Sequence, residues 1–448
     1  MDLSTRSIEF DQLVGRSGPM MWGQKAIYKS IRWLAEDAHY FNLFRVIDVP
    51  DGMAVGDLGG ALGSLIARHE VLRTLFHDSA AGWTQDVRPA GRLVADLVPA
   101  RENASAEVAG GVVKDLMGRS FRHSEELPVR FSIVLEDSRP RKVVMVVSHL
   151  AVDGWSADLL KQDLIGLLRG DAGPAPHWQP VDQAAAEADG AGAARGVAAV
   201  DYWSKTLSSN PPSPVRPVVD TGRPGRSVRL GMSSTALAVA ASAVATRCGV
   251  STGTVLLAAT AVVVGRHTGR KEVALQLIAA NRLDARSRGL VGALAENALF
   301  VIDTSPAAVD GDFQTVAKRA FGAGLNAYRH AQYDPLVLDD VLERIRTQNG
   351  GALDLGYFFN DMRIGRDWSD IPEWDSEPDR LRELAQETEI SLVGSWERQD
   401  ATFFVHTEDA TNTCRLFLMA DTELIPAQEI EKLLLSMESV VVEAAIAG

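Results

Sequence analysis

Val143-Val144-Met145-Val146-Val147-Ser148-His149-Leu150-Ala151-Val152-Asp153-Gly154-Trp155-Ser156 is the stretch on which the reading of this chain turns. Five consecutive apolar residues describe a core strand, and the Ser-His and Asp-Gly that follow mark a polar turn. Beyond Ser156 the period changes, with Leu159, Leu160, Leu164, Leu167 and Leu168 at helical spacing behind a Ser or Asp cap. His149 is therefore carried from a strand end into the loop that opens a helix. A histidine there can do proton chemistry; a packed histidine with satisfied ring nitrogens is the plainer alternative. Ser148 and His149 are neighbours on a strand and point to opposite faces, which argues against a serine nucleophile activated by this histidine.

Outward from this stretch both halves of the chain alternate helices and strands. Residues 131–135 pair with 143–147 across Asp137-Ser138-Arg139-Pro140. Helices are predicted around Ala26 to Trp33 and over 58–69, and a strand over 41–49; 71–76 leads into another strand. In the later half 235–246 and 254–265 read as helices of small residues, while 273–279, 353–359 and 391–393 read as strands. A hairpin over 402–406 and 414–419 and a long terminal helix over 427–445 complete the pattern, which is that of two α/β sandwich lobes. Residues 169–200 are rich in Ala, Gly, Asp and Pro and read as a surface connection with at most one short helix. Pro211-Pro212-Ser213-Pro214 marks a second irregular crossing. The division expected is 1–175, a linker at 176–200, and 201–448.

Composition narrows the functional classes. A chain of 448 residues with 46% apolar content exceeds one ordinary core. Its 45 basic and 59 acidic side chains give a net charge of −14 without a compensating basic cluster, which disfavours nucleic acid. No run of eighteen apolar residues indicates a membrane span, and the early acid at Asp2 is unlike a signal peptide; a cytosolic enzyme is expected. Cys248 and Cys414 fit reduced thiols and leave no cysteine-rich zinc site. Phosphate loops, metal clusters and dinucleotide fingerprints are not visible, so no bound cofactor is expected.

The stretch around His149 resembles the His-His-x-x-x-Asp-Gly signature of the condensation domains of non-ribosomal peptide synthetases, with Ser148 in place of the first His. Arg68-His69-Glu70-Val71-Leu72-Arg73-Thr74-Leu75-Phe76 resembles that family's Arg-His-Glu-x-Leu-Arg-Thr-x-Phe element and is the most specific match. Asp201-Tyr202-Trp203 is similar to its mid-chain aromatic element. Val291-Gly292-Ala293-Leu294-Ala295-Glu296-Asn297 looks like a degraded Ile-Gly-x-Phe-Val-Asn motif, and Gln332-Tyr333-Asp334-Pro335 sits where a His-Gln-Asp-like motif falls. The resemblance implies two lobes similar to chloramphenicol acetyltransferase, arranged as a V with a channel between them.

It also implies the chemistry: a free-standing enzyme that moves an acyl or aminoacyl group from a carrier-protein thioester, on a phosphopantetheine arm, to an amine or alcohol in specialised metabolism. The partners are then an acyl or peptidyl carrier protein and a small-molecule nucleophile or second carrier-bound substrate. His149 is the group expected to handle the proton, with Asp153 and Gly154 completing the catalytic motif. Asp153 pairs with an Arg from the other half in this family, and Arg282 matches that position best; Gly154 either lets the backbone approach the reacting carbonyl, with its amide as oxyanion donor, or is an ordinary turn glycine. Ser148, Arg282 and Arg73 are expected to support the structure, and Trp155, Asn360 and Asn297 to line the substrate channel. If an acidic carrier docks, the crowded arginines at 282, 286 and 288 are the candidates for a local basic patch, with a solvated charged loop as the alternative reading. An acyltransferase using acyl-coenzyme A and a catalytically silent recruitment module remain the alternatives. Heterocyclisation is disfavoured by Ser148, where a paired Asp pattern is missing, and epimerisation by the lack of a Glu-Gly-His-Gly-like element.

Overall fold

The computed structural model describes residues 4–80, 82–209, 226–305, 313–351, 353–363, 368, 377–397 and 399–447. The chain forms two compact units, one of Met1–Val197, Ala280–Glu296 and Gln332–Leu336, the other of Ala198–Ala279, Asn297–Ala331 and Val337–Gly448.

In the first unit the strands are β1 (Ser4–Phe10), β2 (Arg16–Pro19), β3 (Asn42–Asp48), β4 (Thr74–Ser79), β5 (Gly82–Val87), β6 (Gly91–Ala100), β7 (Val129–Glu136) and β8 (Arg139–Ser148). They make a five-stranded sheet in the order β1-β6-β7-β8-β3 and a three-stranded sheet in the order β2-β5-β4. The five apolar residues of β8 are explained by what lies on each face. Val143, Met145 and Val147 join one core with Leu58, Leu62 and Leu65 of the helix Val55–Arg68 and Leu160 and Leu164 of the helix Gly154–Arg169. Val144 and Val146 join another with Ala109 and Leu116 of the helix Ser105–Met117. A strand covered on both faces loses the alternation of a half-exposed one. β7 and β8 are joined through Asp137 (φ 49°) and Ser138 (φ 62°), two consecutive left-handed residues whose twist matches the flanking strands.

The second unit is built on a mixed sheet of β9 (Ser227–Ser234), β10 (Glu272–Ala279), β11 (Glu296–Asp303), β12 (Tyr357–Asp361), β13 (Glu389–Trp396), β14 (Phe403–Glu408) and β15 (Cys414–Asp421), in the order β11-β10-β12-β14-β15-β9-β13. Its helices Thr235–Cys248 and Thr252–Thr268 are capped by Ser234 and Ser251, whose side chains accept from Leu237 N and Thr254 N. They are rich in Ala, Val and Thr and buried nearly all round, packed with the terminal helix Ala427–Ile446 into one core. Small side chains let these helices approach closely, and their burial accounts for their all-round apolar character. Among the described residues no single helix is long and apolar enough to cross a membrane.

The elements expected around the His149 stretch are present, and the mixed α/β fold is as the resemblance implied. Residues 176–200 differ from the reading as a surface connection: they hold the helix Pro180–Ala188 and most of the helix Gly190–Ser209, and the unit boundary at 197/198 falls inside the latter. Alanine-rich composition gave no apolar stripe to read, yet Ala184, Ala199, Trp203 and Leu207 are buried. Pro211 to Pro214 lies outside the described residues.

Gly23, in the first turn of the helix Trp22–Leu34, packs directly on the backbone of Ala293: a Cβ there would stand 2.3 Å from the Ala293 carbonyl oxygen. Helix propensity alone makes Gly23→Ala stabilising by up to about 1 kcal/mol. The close approach reverses the sign, and the variant should unfold with a stability loss of about 1–3 kcal/mol, read by denaturant titration. A raised denaturation midpoint would mean that this segment of chain yields freely.

Candidate active site

β8 ends at Ser148, and the next residue, His149, donates its backbone N–H to Phe41 O at 2.8 Å. Ala151 and Val152 then turn back on the Ser148 carbonyl at 3.0 and 3.2 Å, so the loop is closed before Asp153 starts the helix Gly154–Arg169. The His149 side chain is half-buried, edge-on to Phe41 with ring centroids 6.0 Å apart, and its Nδ1 is buried without a hydrogen-bond partner. Burial pushes its pKa below the ordinary histidine value of 6.5, and the Asp153 charge with nearby backbone groups offsets this only in part. A neutral imidazole is thus held at neutral pH, in the form that can take a proton.

Ser148 is buried, and its Oγ lies 2.7 Å from His123 Nε2 and accepts from Leu150 N at 3.2 Å. Its hydroxyl is engaged away from His149, as strand alternation requires. His123 was not singled out from the sequence. It packs among Phe76 and Phe121, and burial lowers its pKa to about 4, so it is a neutral core imidazole that anchors the strand end. Only its distance from Ser148 in space reveals the pairing, since 25 residues separate them.

Asp153 does two jobs at once. Its Oδ1 accepts from Ser156 N at 2.8 Å, capping the helix, and its Oδ2 accepts from Leu294 N at 3.1 Å. Arg282 Nη2 lies 2.9 Å from both carboxylate oxygens and also donates to Ser156 Oγ at 2.7 Å and Gly292 O at 3.1 Å. Arg282 Nη1 donates to the Ser287 and Leu290 carbonyls, each at 2.6 Å. Ser156 Oγ closes the network by donating to Gly292 O at 2.8 Å. Asp153 and Arg282 are 3% and 7% exposed, so this ion pair is essentially dry, and every carboxylate lone pair in reach is used. Asp153 is accordingly a positioning residue: it ties the His149 loop to residues 282–294.

The other expected residues are dispersed. Gly154 begins the helix, so its amide belongs to the first turn, whose N–H groups lack intrahelical partners. A Cβ on Gly154 would meet no described atom within 4 Å beyond its own stretch of chain, so this side of the exposed glycine is open, while its carbonyl accepts from Arg45 Nη2 at 3.1 Å. Trp155 Nε1 donates to Arg288 O at 3.1 Å, which makes it another tie to the 280s segment. Arg73 lies apart from the loop, donating to Val14 O at 2.9 Å and Arg88 O at 2.7 Å. Its motif neighbours reach the loop indirectly: Arg68 and His69 both bond Asp163 of the helix Gly154–Arg169 at 2.8 Å. Asn360 and Asn297 belong to the second unit, on β12 and β11. Arg282 is withdrawn from the proposed basic patch by its burial, and Arg286 lies over the Trp178 ring at 5.0 Å. Counted from Val291, the sixth motif position is Glu296, so Asn297 stands one place beyond the motif's Asn.

Removing either partner of the dry pair leaves the other charge stranded, at a cost of about 3–5 kcal/mol. Asp153→Ala and Arg282→Ala should each fall in stability by that order, and the double variant should lose less than the two single losses added. Additive losses in denaturant titrations would mean that the two side chains do not stabilise one another.

Comparison with known proteins places this geometry. The family model for the condensation domain matches residues 24–354. A probable non-canonical non-ribosomal peptide synthetase, CymA, of Salinispora arenicola is 33% identical over 142 residues, 32% of this chain and 2% of its own length. Chondramide synthase of Chondromyces crocatus is 27% identical over 304 residues, 64% of this chain and 8% of its own. The chain thus spans less than a tenth of these relatives. Among solved structures, the condensation domain that mediates chain release from the enacyloxin polyketide synthase has a TM-score of 0.72 at 19% identity, covering 96% of this chain and 83% of that one. SgcC5 of Streptomyces globisporus has a TM-score of 0.70 at 17% identity, covering 96% and 98%. The starter condensation domain of rhizomide synthetase, solved with C8-CoA, has a TM-score of 0.66 at 16% identity, covering 96% and 94%. With three quarters of its length matched by the family model, the chain belongs to the condensation domain family.

Proposed function

We propose that this chain is a condensation enzyme that transfers an acyl or aminoacyl group from a carrier-protein thioester to an amine or alcohol, with His149 as proton acceptor. The observation that carries this reading is a half-buried imidazole, kept neutral by burial, on the loop that leads into a helix whose first residue, Gly154, is exposed. The phosphopantetheine arm of a carrier is shared by coenzyme A, so the donor class is set by the arm and the thioester rather than by a cofactor held in the protein.

In the proposed reaction the nucleophile's nitrogen or oxygen bonds to the thioester carbonyl carbon while its proton passes to the neutral ring of His149. The tetrahedral intermediate then expels the thiolate, which takes that proton back, so the histidine is restored. A thioester is already activated, and alignment of two reactants can supply on the order of 7 kcal/mol or more of the barrier reduction. Proton transfer adds roughly 10²–10⁴-fold. In this reading the Gly154 amide, in the first turn of the helix, donates to the developing oxyanion. Asp153 and Arg282 hold the loop that presents both groups.

His149→Ala should therefore lower product formation at least about tenfold in an assay with a loaded carrier protein and an amine, with the fold intact by circular dichroism. Unchanged turnover would remove His149 from the reaction. Because burial lowers the pKa of His149, its neutral form persists into mild acid. The acid limb of kcat/KM should fall below pH 6.5, the ordinary histidine value, and disappear in His149→Ala.

Ser148→Ala should leave turnover within a few-fold, since the two neutral hydrogen bonds it removes, with His123 and from Leu150 N, are each worth about 0.5–1.5 kcal/mol and neither involves His149. An acyl adduct on Ser148 by mass spectrometry, with activity lost as in His149→Ala, would replace direct transfer by covalent catalysis.

A further inference from the structure

The first unit contains a cavity of about 390 Å³ whose walls include Trp22, Trp178, Glu187, Glu296, Arg195 and Arg286. Its charge does not balance. Glu187 and Glu296 are 7% and 5% exposed. Lys25 faces both, but its Nζ is paired with Asp334 Oδ2 at 2.5 Å. Three carboxylates therefore share one ammonium. The remaining charges on the wall are accounted for: Asp189 Oδ1 accepts from Ala191 N and Gly192 N, Asp284 caps its own short helix, and Arg286 lies over Trp178. Arg195 and Arg286 match those two aspartates in number, which leaves Glu187 and Glu296 in excess.

These two carboxyl groups are not equivalent. Glu187 is satisfied, accepting from Trp22 N at 2.8 Å and from Gln183 Nε2 at 3.1 Å. Glu296 Oε2 is buried without any hydrogen-bond partner. An ionised, unpaired carboxylate out of water is costly, so without a cation the group stays protonated. Burial pushes Glu187 up to about 7, and burial with the neighbouring Glu187 and Asp334 charges raises Glu296 well above the carboxylate range. An incoming cation removes the reason for protonation. The volume is many times that of a single water, about 30 Å³, and two indoles line it, which suits an organic cation better than a bare ion.

We propose that this cavity binds a small molecule bearing a primary ammonium group, with the ammonium beside Glu296 and Glu187 and the rest of the molecule against Trp22 and Trp178. On binding, the carboxyl proton of Glu296 leaves to solvent and the ammonium takes its place as the compensating charge. The site is distinct from the His149 loop but shares a strand of chain with its brace. Asn281 and Leu294 line the cavity, while Arg282 and the Leu294 amide bond Asp153.

The test is isothermal titration of the whole chain with 2-phenylethylammonium chloride, using 2-phenylethanol and 3-phenylpropionate as neutral and anionic counterparts. Only the ammonium should bind, more tightly as the pH rises from about 6 to about 8, with proton release seen as a dependence of the heat on buffer ionisation. Glu296→Gln should weaken binding at least about tenfold without lowering the melting temperature, since it removes a buried acid. Glu187→Gln gives the same reading should Glu296→Gln fail to fold. His149→Ala should bind the amine unchanged. Equal binding of the alcohol, undiminished binding by Glu296→Gln or Glu187→Gln, loss of binding in His149→Ala, or no binding of the ammonium at millimolar concentration would each overturn the proposal.

Discussion

The dry ion pair between Asp153 and Arg282 is the constraint on which the His149 loop depends. Asp153 is at once the cap of the helix Gly154–Arg169 and the acceptor for Arg282 and the Leu294 amide, so the loop carrying His149 cannot shift without uncovering a buried charge. Arg282 in turn gathers the carbonyls of Ser287, in the short helix Ala285–Gly289, and of Leu290 and Gly292 just beyond it, satisfying groups that the end of a helix leaves without partners. The pair thus fixes geometry rather than adding net stability. This is the arrangement needed where the chemistry is mostly alignment.

A second set of charges steadies the helix from its far side. Arg68 and His69 meet Asp163, while Glu70 bonds Arg16, which also holds Asp182 at 2.6 Å. The stretch Arg68 to Phe76 is therefore a junction between the helix after His149, the small three-stranded sheet and the helix Pro180–Ala188. Its specificity as a sequence pattern follows from that: Arg68 and His69 converge on one carboxylate and Glu70 on Arg16, so substitutions are not interchangeable.

His149 is left with little direct support. Both Asp153 oxygens are taken, and the ring is held by Phe41 and by the closure of its loop on Ser148. Burial, rather than an orienting carboxylate, sets its protonation state. Such a histidine suits a reaction whose electrophile is already activated, because the demand on the base is small.

Much of this was legible in the chain. The run from Val143 to Ser156 determined a two-faced core strand, a loop histidine and a capped helix, because period and turn chemistry are local properties. The motif spacing identified the family, and with it Arg282 as the partner of Asp153. Tertiary structure decided what depends on distance in space. The role of His123, the helices hidden in the alanine-rich 176–200 segment, and the removal of Arg282 from any surface patch all follow from burial against distant residues. The charge imbalance at Glu187 and Glu296 is of the same kind: in sequence they are two ordinary acids among 59, and only the fold withdraws both from water and leaves Lys25 to Asp334.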